Sequence, residues 1–178
     1  MGSSLSGDYV RLFVQLTRDK VPVFHPRWTV AHHGLDVPVL RLTLAQFRAV
    51  GAARSPRMAG APRADDKSLP ALHRRLAGSF ATLKEALEEL PPATNVELHA
   101  LYPSREEEGA RGLGPTPSIN DFADAVLGVV FEYARQARAR DGYARSVVFS
   151  SYNREVCTAL NWKQPNCRLL SDVGEGRR

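Results

Sequence analysis

The sequence predicts an α/β fold in which helices cover a parallel β-sheet. Short apolar segments alternate with longer segments whose apolar residues recur every three or four positions, the pattern of successive β-α units. The short segment at residues 146–150 (SVVFS) has little polarity, as expected for a strand covered on both faces. Because an eight-stranded barrel typically needs ~250 residues, a chain of 178 residues corresponds to roughly half a barrel.

The N-terminal region predicts a strand, a tight turn and a short returning strand. Residues 10–16 (VRLFVQL) are apolar and rich in β-branched side chains, residues 17–20 (TRDK) are typical of a turn, and residues 21–25 (VPVFH) form the return. Pro22 has no N–H to donate to a neighbouring strand, so we expect the return to lie at an edge of the sheet.

Two helices are predicted before the next strand. Residues 43–50 have apolar side chains at helical spacing and begin with Thr43, a preferred capping residue. Residues 51–68 are rich in Ala, Gly, Pro and Arg and predict a mobile surface loop. Residues 69–90 again show helical spacing, and the two prolines that follow end that helix.

The C-terminal half continues the alternation. Ser118 and Asp121 resemble a helix-capping pair ahead of a long apolar stripe. The predicted elements are a strand at 95–102, a polar loop at 104–117, a helix from Ser118, a strand at 146–150, a helix at 153–162, a short strand at 168–170 and a frayed tail at 171–178.

Composition and charge exclude several classes of protein. The chain has 24 Lys and Arg residues against 19 Asp and Glu residues, a formal net charge of +5, and these charges are scattered. Because no basic cluster is interleaved with aromatic side chains, nucleic-acid binding is not predicted. No apolar run approaches the ~18 residues needed for a transmembrane segment. Cys157 and Cys167 form no CxxC pair and, with no signal peptide visible, indicate reduced intracellular thiols.

Four segments resemble the glycerophosphodiester phosphodiesterase family, in the order found in that family. Residues 7–23 (GDYVRLFVQLTRDKVPV) resemble its second strand, with the pattern E-x-D-V-Q-L-T-x-D-G-x-P-V-x-x-H-D, and residues 90–103 (LPPATNVELHALYP) resemble its N-x-E-x-K-Y-P strand. Residues 147–153 (VVFSSYN) and 157–166 (CTALNWKQPN) resemble its S-S-F-x-P strand end and the helix that follows. The resemblance implies a partial (β/α)8 TIM barrel with parallel strands and outer helices over residues 7–170.

Two longer phrases narrow the resemblance. VQLTRDKVPVFHPRWTV and FSSYNREVCTALNWKQPN are similar to the C-terminal domain of the fungal cyclin-dependent kinase inhibitors of the phosphate-starvation pathway. In those proteins the phosphodiesterase-like domain follows an SPX domain and ankyrin repeats, neither of which is visible here, so we expect this chain to be the barrel part or a fragment of it. The resemblance implies a phosphate-signalling regulator, a cyclin–kinase complex as partner of the full-length protein, and a cytoplasmic or nuclear location.

The resemblance also implies which residues the reaction needs. The family holds a Ca²⁺ or Mg²⁺ ion with carboxylates and uses two histidines as acid and base. Its E-x-D ligands correspond to Arg11 and Phe13, and its second histidine corresponds to Pro26. Glu97 matches the third acidic ligand and is the metal-ligand candidate. His25 lies one position early, so its side chain is expected on the opposite face unless a bulge intervenes.

These substitutions predict a catalytically degenerate domain that needs no cofactor. The alternative is an active phosphodiesterase that requires Ca²⁺ or Mg²⁺, and a third reading is a generic α/β domain. Arg11 and Phe13 share parity on one strand and hence a face. Because Arg11 and Glu97 both correspond to ligand positions of the family's cation, the resemblance implies that Arg11 lies near Glu97 and balances its charge in place of that cation. Arg11 could instead bind an anion or point into solvent, and Glu97 could simply be solvated.

Several residues have two readings each. His32 and His33 could mark a metal site, but neighbours on an extended chain point apart, which favours two loop histidines. Ser150, Ser151 and Asn153 could line a pocket or cap the following helix. A half barrel also leaves its inward face open, and the apolar residues expected to be only partly buried there are Val10, Leu12, Val14, Val96, Leu98, Val147 and Phe149.

Overall fold

A computed structural model describes residues 9–54, 80–164 and 169–171. The described strands are β1 (Tyr9–Leu16), β2 (Pro22–Phe24), β3 (Thr29–His32), β4 (Leu35–Pro38), β5 (Asn95–Ala100), β6 (Val147–Ser151) and β7 (Leu169–Ser171). The described helices are α1 (Leu44–Arg54), α2 (Leu83–Glu89), α3 (Arg105–Ala110), α4 (Ile119–Asp141) and α5 (Arg154–Lys163), with a 3-10 turn at Val39–Arg41. In the described ranges no helix has both the length and the apolarity to span a membrane.

The principal sheet has the order β2-β1-β5-β6-β7. β1, β5, β6 and β7 are parallel, which confirms the predicted fold class, and β2 pairs antiparallel with β1. The predicted edge position of Pro22 is confirmed, because β2 is the outermost strand on that side. The short strand predicted at 168–170 is also present, one residue later, so Ser171 belongs to β7 rather than to the predicted tail. Residues 172–178 lie outside the described residues.

One face of this sheet packs against α2, α4 and α5 and forms the main hydrophobic core. The core includes apolar residues that we expected to be only partly buried, and this expectation is wrong for five of the seven. Leu12, Val14, Val96, Leu98 and Phe149 are fully buried, and only Val10 and Val147 are half-buried. These alternate positions face α2, α4 and α5, so the opposite face carries the residues of the other parity, and at its β2 edge Val23 packs with Phe47 of α1.

A hairpin that the sequence did not predict lies beside the sheet. β3 and β4 pair with each other and are joined by His33 and Gly34, which have φ values of 49° and 78°. Two consecutive residues with positive φ are typical of the tight turns of two-residue hairpins. This turn also corrects the expectation for His32 and His33. Their ring centroids are 4.2 Å apart, because the backbone at His33 is left-handed rather than extended.

The first helix is longer than predicted. α1 continues through Gly51 to Arg54, so the predicted loop at 51–68 is wrong for its first four residues, and residues 55–68 lie outside the described residues. Gly51 is packed against Phe80, where an added Cβ would come within 2.6 Å of the ring. The glycine that suggested a loop instead permits this close approach.

Two further helix boundaries differ from the prediction. α2 begins at Leu83 rather than near residue 69, because Phe80 has a φ of 52° and Thr82 forms a capping box with Glu85. The predicted helical residues 69–79 lie outside the described residues. The segment 104–117, predicted to be a polar loop, contains the helix α3. Ser104 is the N-cap of α3 and forms a second capping box with Glu107.

Candidate functional site

The face of the sheet opposite the helices carries the candidate site. Arg11 and Phe13 of β1 face it together with Glu97 and His99 of β5 and Ser150 of β6. The parallel register pairs Arg11 with Glu97 and Phe13 with His99, and on the next strand it pairs His99 with Ser150. Because paired residues on neighbouring strands share a face, the register alone brings these five side chains together.

An ion pair lies at the centre of this face. Nη2 of Arg11 is 3.0 Å from Oε1 of Glu97, which confirms the predicted contact. The Arg11 side chain is 43% exposed and that of Glu97 is 12% exposed. Ser150 Oγ donates a hydrogen bond to the same carboxylate oxygen at 2.6 Å. Burial raises the pKa of Glu97, but the Ser150 hydrogen bond and the Arg11 guanidinium outweigh it, so that the pKa lies below its usual range.

His99 extends the network by one hydrogen bond. Its Nδ1 is 2.9 Å from Ser150 Oγ. Since the Ser150 proton is directed at Glu97, Nδ1 of His99 carries a proton and donates to Ser150. The His99 ring is fully buried, with centroids 5.3 Å from Phe13 and 4.7 Å from Tyr152. Guanidinium, carboxylate, hydroxyl and imidazole thus form one continuous chain across three strands.

His25 is placed in a different environment. Its side chain is buried and its ring centroid lies 5.8 Å from Phe47 and 5.5 Å from Phe80. Its Nε2 is 3.2 Å from the carbonyl oxygen of Thr29, and its backbone N–H donates to the Phe13 carbonyl. Pro26, at the family's histidine position, is exposed and has no titratable group. The described contacts of His25 are therefore those of an apolar cluster, and none of them joins it to Glu97.

The donor set at this face does not fit a hard divalent cation. Ca²⁺ takes six to eight oxygen ligands and Mg²⁺ takes six. The three positions at which the resemblance implies acidic ligands hold one carboxylate, one guanidinium and one phenyl ring, at Glu97, Arg11 and Phe13. The carboxylate is already in contact with the guanidinium. Throughout residues 9–54, 80–164 and 169–171, no three or more His, Cys, Asp or Glu residues are grouped as metal ligands.

A cavity of about 570 Å³ opens beyond the carboxyl ends of β5 and β6. The sequence left open whether Ser150, Ser151 and Asn153 line a pocket or cap the following helix. For Ser151 and Asn153 the structure shows local hydrogen bonds. Asn153 lines the cavity and caps α5 by accepting from the backbone N–H groups of Glu155 and Val156. Ser151 donates to the Ala100 carbonyl and accepts from the Asn153 N–H. Ser150 is neither a cap nor a cavity residue, because it belongs to the Glu97 network.

Sequence reasoning identified Arg11 and Glu97 but missed the hydrogen bonds of His99 and Ser150. A signal was present, since residues 97 and 99 share parity on β5 and residue 150 ends the neighbouring strand. The position of Ser150 beside them depends on the β5–β6 register, in which Leu98 pairs with Phe149 and His99 with Ser150. Apolar strands of this kind do not specify that register by their pattern alone.

Comparison with curated proteins identifies relatives of two kinds. Ankyrin repeat protein nuc-2 of Neurospora crassa is 48% identical over 183 residues, covering 99% of this chain and 17% of that protein. Phosphate system positive regulatory protein PHO81 of Saccharomyces cerevisiae is 30% identical over 171 residues, covering 94% of this chain and 14% of PHO81. Glycerophosphocholine phosphodiesterase GDE1 of Eremothecium gossypii is 27% identical over 223 residues, covering 94% and 16%. The chain therefore spans only a small part of these relatives.

Solved structures show the same fold. The Oleispira antarctica phosphodiesterase in complex with sn-glycerol-3-phosphate superimposes with a TM-score of 0.56 at 14% identity, covering 93% of this chain and 54% of that one. The Thermotoga maritima glycerophosphodiester phosphodiesterase gives 0.55 at 16% identity, covering 93% and 49%. The chain thus spans about half of each structure, as a partial TIM barrel. The family model for the glycerophosphoryl diester phosphodiesterase family matches residues 2–176, and the chain belongs to that family.

Proposed function

We propose that this chain is a catalytically degenerate phosphodiesterase-like domain of a phosphate-signalling regulator of the cyclin-dependent kinase inhibitor type. The observation that carries the proposal is the 3.0 Å ion pair between Arg11 and Glu97, because it neutralises the acidic ligand that the sequence retains. The relatives nuc-2 and PHO81 support the regulatory setting, since one is named as an ankyrin repeat protein and the other as a phosphate-system regulator. Its partner is a cyclin–kinase complex, bound through the full-length protein in the cytoplasm or nucleus.

The electrostatics of the ion pair favour a site without metal. A guanidinium stays protonated at every physiological pH, so Arg11 keeps its positive charge. A divalent cation at Glu97 would have to displace that charge and would find one carboxylate and the Ser150 hydroxyl as oxygen donors. The fixed cation balances Glu97 but leaves no open coordination position for a phosphoryl oxygen.

The alternative function is an active, metal-dependent glycerophosphodiester phosphodiesterase. Relatives named as glycerophosphocholine phosphodiesterases, at 26–28% identity, and the retained Glu97 favour this reading. Under it Glu97 would bind Ca²⁺ or Mg²⁺. His25 would be needed as the acid or base, and it would have to leave its packing against Phe47 and Phe80.

The test combines calcium binding with hydrolysis. We expect the intact chain to give no calorimetric signal with Ca²⁺ and no hydrolysis of glycerophosphocholine that a chelator removes. The double variant Arg11→Glu/Phe13→Asp restores three acidic positions, and we expect it to bind Ca²⁺. Arg111→Glu/Tyr143→Asp makes the same charge change, three units, at exposed positions and serves as the matched control, with no binding expected. Chelator-sensitive turnover by the unmodified chain that is lost in Glu97→Gln would establish the alternative.

A further inference from the structure

The loop between α3 and α4 holds a threonine in an unusual setting. Thr116 directly precedes Pro117 and is half-buried. Its backbone N–H and its hydroxyl both donate to the same carboxylate oxygen of Glu108, Oε2. Two glycines of the loop, Gly112 and Gly114, have left-handed φ values of 57° and 91°. The carboxylate of Glu108 therefore fixes an otherwise irregular segment to α3 through the Thr116 side chain.

Thr116 also lines the 570 Å³ cavity described above. Arg105 and Arg154 line the same cavity from the first residues of α3 and α5. Neither guanidinium has an ion-pair or hydrogen-bond partner among the described residues. The cavity wall thus holds the Thr116 hydroxyl, which is hydrogen-bonded to Glu108, and the two guanidiniums, which have no partner among the described residues.

We propose that Thr116 is a phosphorylation site for a proline-directed serine/threonine kinase. Once phosphorylated, the Thr116 side chain leaves Glu108 and binds Arg105 and Arg154 instead. Pro117 supplies the residue such kinases select, and it biases Thr116 towards the extended backbone that a kinase cleft accepts. This inference concerns the cavity and the α3–α4 loop, and it does not depend on whether the Glu97 face binds metal.

The chemistry is a phosphoryl transfer from ATP. Oγ1 of Thr116 attacks the γ-phosphorus, the bond from that phosphorus to the β–γ bridging oxygen breaks, and ADP leaves while the hydroxyl proton passes to the kinase base. The product has lost the hydroxyl proton that it donated to Glu108. It carries close to two negative charges at neutral pH, and these repel the Glu108 carboxylate.

The modified threonine then has a new set of partners. A phosphate forms charge-assisted hydrogen bonds with arginine, and its cavity is shared by the guanidiniums of Arg105 and Arg154, which have no partner within the described part of the chain. Thr116 also lies two residues before Ser118, the N-cap of the 23-residue helix α4, where negative charge is favourable. We therefore expect the loop to leave Glu108 and to reorder across the cavity towards Arg105 and Arg154.

The experiment uses the intact chain carrying Ser55→Ala, because Ser55–Pro56 is the other Ser/Thr–Pro pair in the sequence. A purified proline-directed kinase with Mg²⁺ and ATP is added, and the phosphate is located by peptide mass spectrometry. We expect phosphate on Thr116 and none in the Thr116→Ala variant. Glu108→Ala should raise the initial rate about tenfold, because it removes the acceptor that holds the hydroxyl. Glu106→Ala, an exposed glutamate on the same helix, should leave the rate unchanged.

Hydrogen exchange reads out the consequence. Residues 105–118 should exchange faster in the phosphorylated chain, and Arg105→Ala/Arg154→Ala should increase that exchange further by removing the new partners. A synthetic peptide of residues 111–121 confirms that the kinase accepts the sequence. If the peptide is phosphorylated while Thr116 of both the folded chain and Glu108→Ala stays unmodified, the proposal is wrong. Equal rates in Glu108→Ala and Glu106→Ala would likewise overturn it.

Discussion

The Arg11–Glu97 pair can be weighed by replacing Arg11 with methionine. The change removes the charge but keeps an apolar side chain of similar reach. An exposed ion pair contributes about 0–1 kcal/mol to stability, whereas breaking a buried one costs about 3–5 kcal/mol. Arg11 is 43% exposed and Glu97 only 12%, so this pair lies between the two cases. After discounting for solvent screening we expect Arg11→Met to lower the free energy of unfolding by about 1–2 kcal/mol at pH 7.

The pH dependence of that loss identifies its origin. The pKa of Glu97 is lowered in the folded protein, so its ionised form stabilises the fold above the unfolded-state value near 4.5. That stabilisation disappears as the pH falls through the lower folded-state pKa. Arg11→Met raises the folded-state pKa, and its cost relative to the unmodified chain should therefore be constant between pH 7 and pH 5.5 and shrink below about pH 4.5.

Urea denaturation followed by circular dichroism measures the difference at each pH. Arg48→Met is the matched control, because Arg48 pairs with Glu85 at 2.6 Å but both side chains are about half exposed. We expect Arg48→Met to lower the free energy of unfolding by about 0.5–1 kcal/mol at most. An Arg11→Met loss that is no larger than the Arg48→Met loss, or that stays the same at pH 3.5, would refute the electrostatic account of the site.

Three further substitutions test the packing that positions the site. Arg145→Ala should lower the free energy of unfolding, measured by urea titration, by about 3 kcal/mol. The reason is that the buried Arg145 guanidinium donates hydrogen bonds to the Leu87 and Leu90 carbonyls at the end of α2 and to the Tyr133 hydroxyl. The control Arg138→Ala, at an exposed arginine, should lower it by under about 0.5 kcal/mol. Thr82→Ala removes the capping box of α2 and should cost about 1 kcal/mol in the same assay, and a neutral result would contradict the cap. Gly51→Ala should lower the melting temperature, since the new Cβ meets the Phe80 ring at 2.6 Å, and an unchanged value would show that this ring moves freely.

The alternation of apolar segments and helical segments predicted the parallel sheet, and the resemblance to the phosphodiesterase family predicted the Arg11–Glu97 contact. Alternation along one strand places Arg11 and Phe13 on one face, and two adjacent parallel strands align their polar residues. The sequence did not predict which face the helices cover. β5 alternates between polar and apolar residues, and Arg11 of β1 shares the face of Glu97, so the pattern separates two faces; because both faces of a barrel strand can be covered, it does not say which of them the helices cover. The seven apolar residues from Val10 to Phe149 that we expected on the open inward face therefore lie on the face that packs against α2, α4 and α5.

Short elements were missed for a different reason. The β3–β4 hairpin has only four residues in each strand, and its turn uses His33 in a left-handed conformation, which is uncommon for a residue other than glycine. α3 was missed although Ser104 and Glu107 form the pattern of a capping box, because its six residues bury no side chain and show no apolar periodicity. A sequence reading based on apolar periodicity does not detect segments of this length, which a turn or a cap defines instead.

The Arg11–Glu97–Ser150–His99 network shows how this face accommodates a single, nearly buried glutamate. A carboxylate that is nearly buried needs both a counter-charge and hydrogen-bond donors, or it is strongly disfavoured. Glu97 obtains the charge from Arg11 and a donor from Ser150, which in turn is oriented by His99. A covalently attached cation differs from a bound metal ion in one decisive respect. Its charge is committed to Glu97, so under the proposed function the contact that stabilises this face is also the one that leaves it without a Lewis acid for a phosphoryl oxygen.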